Sequence, residues 1–278
     1  MISLPNNYEG AWTLASSVLR GGIGLHNGLN SKVRLSPSEK AGFHVSWSNS
    51  EQAPVTLSAL QVLESQLCTT LEIGNRRLAT VEHLLAALAG CGLTHVNIEV
   101  TGDEIPLLDG SALGWVEGIV EAGLVPAKTP RLDPPVVKKP LVINRGSSVI
   151  TATPSERFAL IGIIDFPYSA IGQQIMKIEL TPNLFVKQIA PARTFGFQDQ
   201  LEKLKTNGLI KGGTLENALV CNSNGWLNPP LRFDNEPVRH KLLDLIGDLA
   251  LVGFPKAQIL VYRGSHGLHT DLSVALLQ

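Results

Sequence analysis

The segment Val125-Pro-Ala-Lys-Thr-Pro-Arg-Leu-Asp-Pro-Pro135 divides the chain into two halves. Four of its eleven residues are proline, which has no backbone N–H to donate and cannot continue a helix. We therefore expect neither a helix nor a central strand across it. The sequence predicts an N-terminal domain at residues 1–127, a linker at 128–135 and a C-terminal domain at 136–278.

Strand and helix patterns occur together on both sides of the linker. Alternating or β-branched stretches predict strands, and apolar residues at helical spacing predict helices. In the first half we predict strands at 31–35, 42–47 and 95–100 and helices at 80–89 and 111–122. In the second half we predict strands at 136–144, 148–153, 158–166, 177–180 and 257–262 and a helix at 235–252.

Residues 198–228 look like an insertion in the second half, with a short helix at 199–206, a glycine turn at 211–213 and a strand at 217–221. Strands and helices mixed within each half predict an α+β fold. In such a fold, helices cover one face of a mainly antiparallel sheet.

Composition describes an ordinary globular protein. The chain has 278 residues, 44% hydrophobic and 17% charged, and a formal net charge of -1. This balance does not indicate a nucleic-acid partner. Its three cysteines, Cys68, Cys91 and Cys221, form no Cys-x-x-Cys pair, which argues against a disulfide framework and against a thiolate zinc site.

No stretch of the sequence reads as a signal peptide or reaches the ~20 apolar residues of a membrane span. We therefore expect a cytoplasmic protein without a transmembrane segment, and we separately predict a monomer. Transient contact with the membrane surface is left open.

The segment Arg239-His-Lys-Leu-Leu-Asp-Leu-Ile-Gly-Asp248 carries the strongest chemical pattern. On a helix, His240, Asp244 and Asp248 share one face. The opposite face is apolar, with Leu242, Leu245, Leu249 and Val252. An imidazole and a carboxylate one turn apart can bind one divalent ion. From spacing alone, an exposed ion pair explains His240 and Asp244 equally well.

A second helix begins at Thr80-Val-Glu-His-Leu84, with Thr80 as its expected N-cap. Glu82 and His83 then occupy the first turn, where the helix dipole favours a carboxylate. Alone, the pair is better explained by a good first-turn acid beside a hydrogen-bonded histidine. Two histidines and one aspartate would leave a metal coordination position open for water.

Further candidates are single residues. His266 lies in Arg263-Gly-Ser-His-Gly-Leu-His269, read as a loop of small residues that can expose an imidazole to substrate. Thr194 could donate a hydroxyl to an oxyanion, or could be an ordinary turn threonine. Lys241 directly follows His240 in the sequence, where its ammonium could stabilise anionic charge near the metal.

Several blocks together resemble the bacterial zinc deacetylases that act on UDP-3-O-acyl-N-acetylglucosamine, at the committed step of lipid A biosynthesis. The resemblance runs from residue 13 to about residue 277. The blocks are Gly21-Gly-Ile-Gly-Leu-His-Asn-Gly28, Thr80-Val-Glu-His-Leu84, Glu104-Ile-Pro106, Asp109-Gly-Ser-Ala112, Ala192-Arg-Thr-Phe-Gly-Phe197, Leu231-Arg-Phe233 and Val238-Arg-His-Lys-Leu-Leu-Asp244.

The resemblance implies two similar half-domains with their helices packed between the two sheets. It implies one catalytic zinc held by His83, His240 and Asp244, although the ligand set alone does not exclude iron(II). It gives Glu82 the role of general base and Lys241 a role in the site. His266 becomes the cationic general acid, held and charged by Asp248.

The remaining implications concern substrate. Phe195 would line the sugar or acyl pocket, and an acyl channel would be formed by Leu201, Leu204, Leu209, Ile210 and Val220. A small local core explains these apolar residues more simply. His26 and Cys68 fall near the site without an assigned role, and His269 is the rival of His266 as the acid.

The implied reaction is hydrolysis of the N-acetyl group of UDP-3-O-acyl-N-acetylglucosamine. Two alternatives stay open: an amidohydrolase for another N-acyl compound, and a noncatalytic lipid-sugar binding protein. The chain departs from the family pattern at Asn27, where threonine is common. It also lacks a lysine in Arg145-Gly-Ser-Ser148 for a substrate phosphate.

Overall fold

The computed structural model describes residues 4–63 and 67–278. It confirms the predicted α+β fold. The helices are α1 (Glu82–Gly90), α2 (Leu113–Ala122), α3 (Pro182–Leu184), α4 (Gln198–Thr206), α5 (Glu236–Leu249) and α6 (His266–Ala275), with a 3-10 turn at Ala59–Gln61 and a π-helical turn at Phe185–Ile189.

The strands build the sheets, and several of them, such as those at 30–37 and 159–165, alternate more buried with less buried side chains. In the first half they are β1 (Trp12–Leu14), β2 (Val18–Ile23), β3 (Asn30–Pro37), β4 (Gly42–Trp47), β5 (Val55–Thr56), β6 (Val62–Leu63), β7 (Thr70–Ile73), β8 (Arg76–Leu78), β9 (His95–Val100) and β10 (Leu124–Pro126). In the second half they are β11 (Leu141–Arg145), β12 (Ser148–Pro154), β13 (Ala159–Asp165), β14 (Gln173–Glu179), β15 (Phe195–Phe197), β16 (Leu219–Asn222), β17 (Gly225–Trp226) and β18 (Ala257–Tyr262).

The two main sheets share one strand order. The first runs β2-β3-β9-β4-β5, with β1 paired to β9 and β10 paired to β1, and the second runs β11-β12-β18-β13-β14. Directions match as well, because β4–β9 and β13–β18 are the parallel pairs and the other pairs in each series are antiparallel. The halves therefore repeat one architecture.

The repeated parallel pair explains where the two long central helices lie. Parallel neighbours need a crossover connection, which is usually helical. α1 lies within the connection from β4 to β9, and α5 lies within the connection from β13 to β18. The two predicted metal helices are thus corresponding parts of the two halves.

The helices form the layer between the sheets. α1 packs against α5 and α2, while α5 also packs against α6 and β13. Close approach of α1 and α5 depends on Gly247, because a Cβ there would overlap the backbone carbonyl of Glu82. The lack of a side chain at Gly247 therefore allows the short distance between α1 and α5.

Three local predictions were wrong. The strand predicted at 136–144 begins only at Leu141, after Pro140. Thr80 is not the N-cap of α1: it has a left-handed φ of 59°, and its hydroxyl donates to Glu104. His266 is not in a loop but begins α6, where the Ser265 hydroxyl caps the helix.

Residues 127–140 contain neither helix nor strand. This stretch covers the predicted linker at 128–135. Within residues 4–63 and 67–278, no helix combines the length and apolar character that crossing a bilayer requires.

Candidate metal centre and catalytic groups

Three side chains from α1 and α5 converge in the layer between the sheets. His83 Nε2 and His240 Nε2 lie 3.7 Å and 3.4 Å from Asp244 Oδ1. All three residues are buried, and their ligand atoms lie within 4.8 Å of one another. Two imidazole nitrogens and a carboxylate oxygen at this spacing form a donor set suited to a zinc-like divalent ion.

The surroundings of His240 favour metal binding. Its Nδ1 lies 3.1 Å from the carbonyl oxygen of Ala192 and so carries the proton it donates there. Burial lowers the pKa of His240 to about 4, which keeps the ring neutral at neutral pH. The Nε2 lone pair therefore points at Asp244 and is free for a metal.

Lys241 complements the carboxylate ligand. Its Nζ donates to Asp244 Oδ2 over 3.0 Å and lies 5.9 Å from the centre of the Phe195 ring. Burial alone would raise the pKa of Asp244, but Lys241 and then His240 outweigh it and hold that pKa well below its usual range. Asp244 is therefore ionised and available as a ligand.

Glu82 is buried at the first turn of α1. Its Oε2 accepts a hydrogen bond from the backbone N–H of Thr69 over 2.9 Å. Burial raises the pKa of this carboxyl above its usual value, although His266 and His83 act in the opposite direction. A carboxylate made more basic in this way is suited to accept a proton.

His266 faces the same space from α6. Its Nε2 lies 3.9 Å from Glu82 Oε1 and 4.0 Å from Asp244 Oδ2. Its Nδ1 donates to Asp248 Oδ2 over 2.9 Å. Burial lowers the pKa of His266, but Asp248 and then Glu82 more than compensate and raise it to about 9. His266 is thus a buried imidazolium at neutral pH.

Asp248 has two further partners that the sequence did not identify. His269 Nδ1 donates to the same oxygen as His266, over 2.8 Å, and the Thr69 hydroxyl donates to the other oxygen. Burial lowers the pKa of His269, so this second imidazole is neutral. The sequence spacing of Thr69, which follows a cysteine, and of His269, which lies in a glycine-rich segment, does not indicate a shared site.

Seven predicted residues therefore lie together: Glu82, His83, His240, Lys241, Asp244, Asp248 and His266. Phe195 is close by, because its ring lies edge-on to that of His240 with 6.2 Å between centroids. Thr194 is half-buried in the preceding turn, and its backbone N–H donates to the Gly110 carbonyl over 2.7 Å.

The predicted acyl residues lie in the insertion, where α4 packs on β15 and β16. Val220 is buried, while Leu201, Leu204, Leu209 and Ile210 are half-buried. The turn at 211–212 donates backbone hydrogen bonds to the carbonyls of Leu25 and His26, which joins the insertion to the first half. Contact of these five apolar side chains with an acyl chain stays a prediction.

Two cavities lie beside the helices that carry the candidate site residues. One, of about 210 Å³, lies beside His266 and is also lined by Cys68, Arg145 and Thr270. Another, of about 390 Å³, lies between the linker and the C-terminal ends of α1 and α5. Of these two cavities, the smaller one is lined by a candidate catalytic residue, His266, and the larger one is not lined by any.

Comparison with known proteins gives one consistent family. The sequence profile of the UDP-3-O-acyl N-acetylglycosamine deacetylases (LpxC) matches residues 11–278. UDP-3-O-acyl-N-acetylglucosamine deacetylase from Thermosynechococcus vestitus is 47% identical over 270 residues, covering 96% of this chain and 93% of that protein. The Trichormus variabilis protein of the same name is 45% identical, with 95% and 97% covered.

A plant relative extends the comparison. Probable UDP-3-O-acyl-N-acetylglucosamine deacetylase 1, mitochondrial, from Arabidopsis thaliana is 39% identical over 282 residues, with 94% of this chain and 86% of that protein covered. Because the family profile spans nearly the whole chain and the relatives are similar along their length, this chain belongs to the UDP-3-O-acyl N-acetylglycosamine deacetylase family.

Proposed function

We propose that this chain hydrolyses the N-acetyl group of UDP-3-O-acyl-N-acetylglucosamine, releasing acetate and UDP-3-O-acyl-glucosamine for lipid A biosynthesis. His83, His240 and Asp244 would hold one catalytic zinc ion. The names of the relatives support the substrate, and the buried nitrogen and oxygen donors support the metal.

When bound, the ion supplies Lewis-acid polarisation of the amide carbonyl and lowers the pKa of water. Glu82 takes the proton from the water that attacks the carbonyl carbon. Lys241 and Thr194 donate to the oxyanion that develops on the carbonyl oxygen. His266 gives its Nε2 proton to the departing sugar nitrogen as the C–N bond breaks.

The placement of Glu82 and His266 carries this proposal. Two oppositely charged titratable groups face each other across 3.9 Å beside the candidate ligands. Their environments push them toward complementary roles, since the carboxyl is made more basic and the imidazole stays protonated at neutral pH. A protein that only binds a lipid-sugar needs neither a base nor an acid.

A deacetylation assay tests the proposal. Purified protein, stripped of metal and reloaded with zinc or iron(II), is given UDP-3-O-acyl-N-acetylglucosamine, and acetate is measured. We expect turnover that requires the metal. Turnover of other N-acetyl compounds at equal kcat/KM would instead indicate a different amidohydrolase, and binding without acetate release would indicate a carrier.

The cytoplasm and the monomeric state are further proposals. All three cysteines are buried thiols, which is compatible with a reducing compartment, whereas Arabidopsis relatives are named mitochondrial. Cell fractionation and light scattering of purified protein test the two points. Recovery in an organelle or a dimer mass would contradict them.

A further inference from the structure

Thr69 directs its backbone N–H and its hydroxyl at two of the candidate catalytic residues. It is fully buried, immediately before β7. Its backbone N–H donates to Glu82 Oε2 over 2.9 Å, and its carbonyl accepts the N–H of Val81, just before α1, over 3.3 Å. Its hydroxyl donates to Asp248 Oδ1. One residue therefore contacts both the candidate base and the carboxylate that holds the candidate acid.

The direction of these hydrogen bonds is fixed. Asp248 is held ionised because the charge and hydrogen bond of His266 outweigh the effect of burial and lower its pKa. An ionised carboxylate only accepts hydrogen bonds, so Thr69 donates its single hydroxyl proton in a hydrogen bond to Asp248 Oδ1. The hydroxyl oxygen is then left as an acceptor, 3.1 Å from His266 Nδ1.

This pattern orients the imidazole. With Oδ1 taken by Thr69, His266 and His269 share Oδ2, over 2.9 Å and 2.8 Å. The Nδ1–H of His266 therefore lies between Asp248 and Thr69. Its Nε2–H is directed toward Glu82 and Asp244.

We propose that Thr69 is a positioning residue for the reaction: its backbone holds the base Glu82, and its hydroxyl holds Asp248 so that His266 presents Nε2–H to the leaving nitrogen. The inference rests on the proposed function and adds a residue to it. It also separates the roles of backbone and side chain, because a substitution removes only the hydroxyl.

Thr69→Val tests the hydroxyl, since valine has nearly the same shape and keeps both backbone hydrogen bonds. A hydrogen bond to a buried charge corresponds to about a tenfold to hundredfold change in rate. We expect kcat to fall by that factor while KM and zinc content stay within about twofold of the parent. Thr69→Ser keeps the hydroxyl, and its kcat should stay within about threefold.

A matched control and a double-mutant cycle distinguish positioning from general stability. Thr70→Val removes the neighbouring hydroxyl, which contacts Cys68 rather than Asp248, and should leave kcat unchanged. If Thr69 acts through Asp248, adding Thr69→Val to a protein that already carries Asp248→Asn should lower kcat little further. Additive losses would indicate a merely structural threonine.

The outcomes are separable. If the parent releases no acetate, the proposed function fails. If the parent is active and Thr69→Val keeps its kcat, or loses activity only through KM, the inference about Thr69 is wrong. Should Thr69→Val not fold, Thr69→Ala replaces it in the cycle. A tenfold loss of kcat in Thr69→Ser contradicts the proposal by itself.

Discussion

Asp248 sets the charge of His266, and this gives the activity a defined pH dependence. In the proposed mechanism, turnover needs ionised Glu82 and protonated His266. The pKa of His266 is raised to about 9, so activity should persist through neutral pH and fall as pH rises through about 9. On the acidic side it should fall as Glu82 becomes protonated, above the ordinary carboxyl pKa because burial raises it.

Asp248→Asn removes the negative charge that raises the pKa of His266. The falling limb of kcat/KM should therefore move to lower pH. Asp271→Asn is the control, because Asp271 lies on α6 with His266 but pairs with Arg145. A falling limb that stays in place in Asp248→Asn would show that His266 is not the group that titrates.

Replacement of Glu82 should lower kcat, whereas replacement of His240 should lower the zinc content. Glu82→Gln keeps the three candidate ligands and removes the base, so zinc content should stay near one per chain while kcat falls about 10²- to 10⁴-fold. His240→Ala removes a ligand and should lose zinc. Metal analysis after gel filtration, beside kcat, distinguishes them; equal zinc loss in both proteins would refute these roles.

Residue spacing predicted part of this site for a physical reason. His240 and Asp244 are one helical turn apart, so the sequence itself places them on one face. The contacts of Asp248 with Thr69 and His269 join residues far apart in the chain, and no periodic pattern encodes them. Thr80 was misread because its hydroxyl binds Glu104 rather than the start of α1.

At the scale of elements, the contact between α1 and α5 depends on Gly247. Gly247→Ala would press a methyl group against the carbonyl of Glu82 and force the helices apart. Overpacking of this kind costs about 1–3 kcal/mol. We expect a lower free energy of unfolding in urea and a lower kcat, because the base moves relative to the metal ligands.

Gly118→Ala in α2 is the matched control. The nearest atoms that a Cβ there would meet belong to the guanidinium of Arg20, 3.2 Å away at the far end of a flexible side chain, and alanine favours a helix by up to about 1 kcal/mol over glycine. Its stability should be equal or higher. Equal stability and kcat in Gly247→Ala and the parent would mean that the helices can move apart without consequence.

The insertion predicts selectivity for acyl length. Each buried methylene is worth about 0.8 kcal/mol, so kcat/KM should fall by orders of magnitude as several carbons are removed from a well-fitted chain. Val220→Phe or Leu201→Trp should shift the preference toward shorter chains without changing zinc content. Leu215→Phe, at an exposed position of the same insertion, should not; a flat profile throughout would place the acyl chain elsewhere.

Elements were predicted well where their residues repeat with a clear period. The strands at 42–47 and 257–262 have the predicted bounds. Helix α6 was missed because glycine and serine at its start look like a loop, although the serine is its cap. The parallel pairing of β4 with β9 and β13 with β18 was not predicted, since pairing partners depend on tertiary contacts.

At the scale of the whole molecule, the metal would join the two halves. His83 belongs to the first half, while His240 and Asp244 belong to the second. Free zinc at about a thousand times its Kd would stabilise the fold by about 4 kcal/mol, which corresponds to roughly 10 °C in Tm for a protein of this size. Chelation should lower Tm accordingly, and zinc but not magnesium should restore it.

The two halves share one strand order, and this bears on the ancestry of the site. A single unit with this order would leave the face of its crossover helix uncovered, and a second copy related by a twofold axis would cover it. Alignment of α1 and α5 on their histidines matches Ala87 with Asp244 and Glu82 with Arg239. A symmetric ancestor could offer one histidine from each copy. The acid–base asymmetry of the present site would then have arisen after the two copies were joined in one chain and could diverge separately.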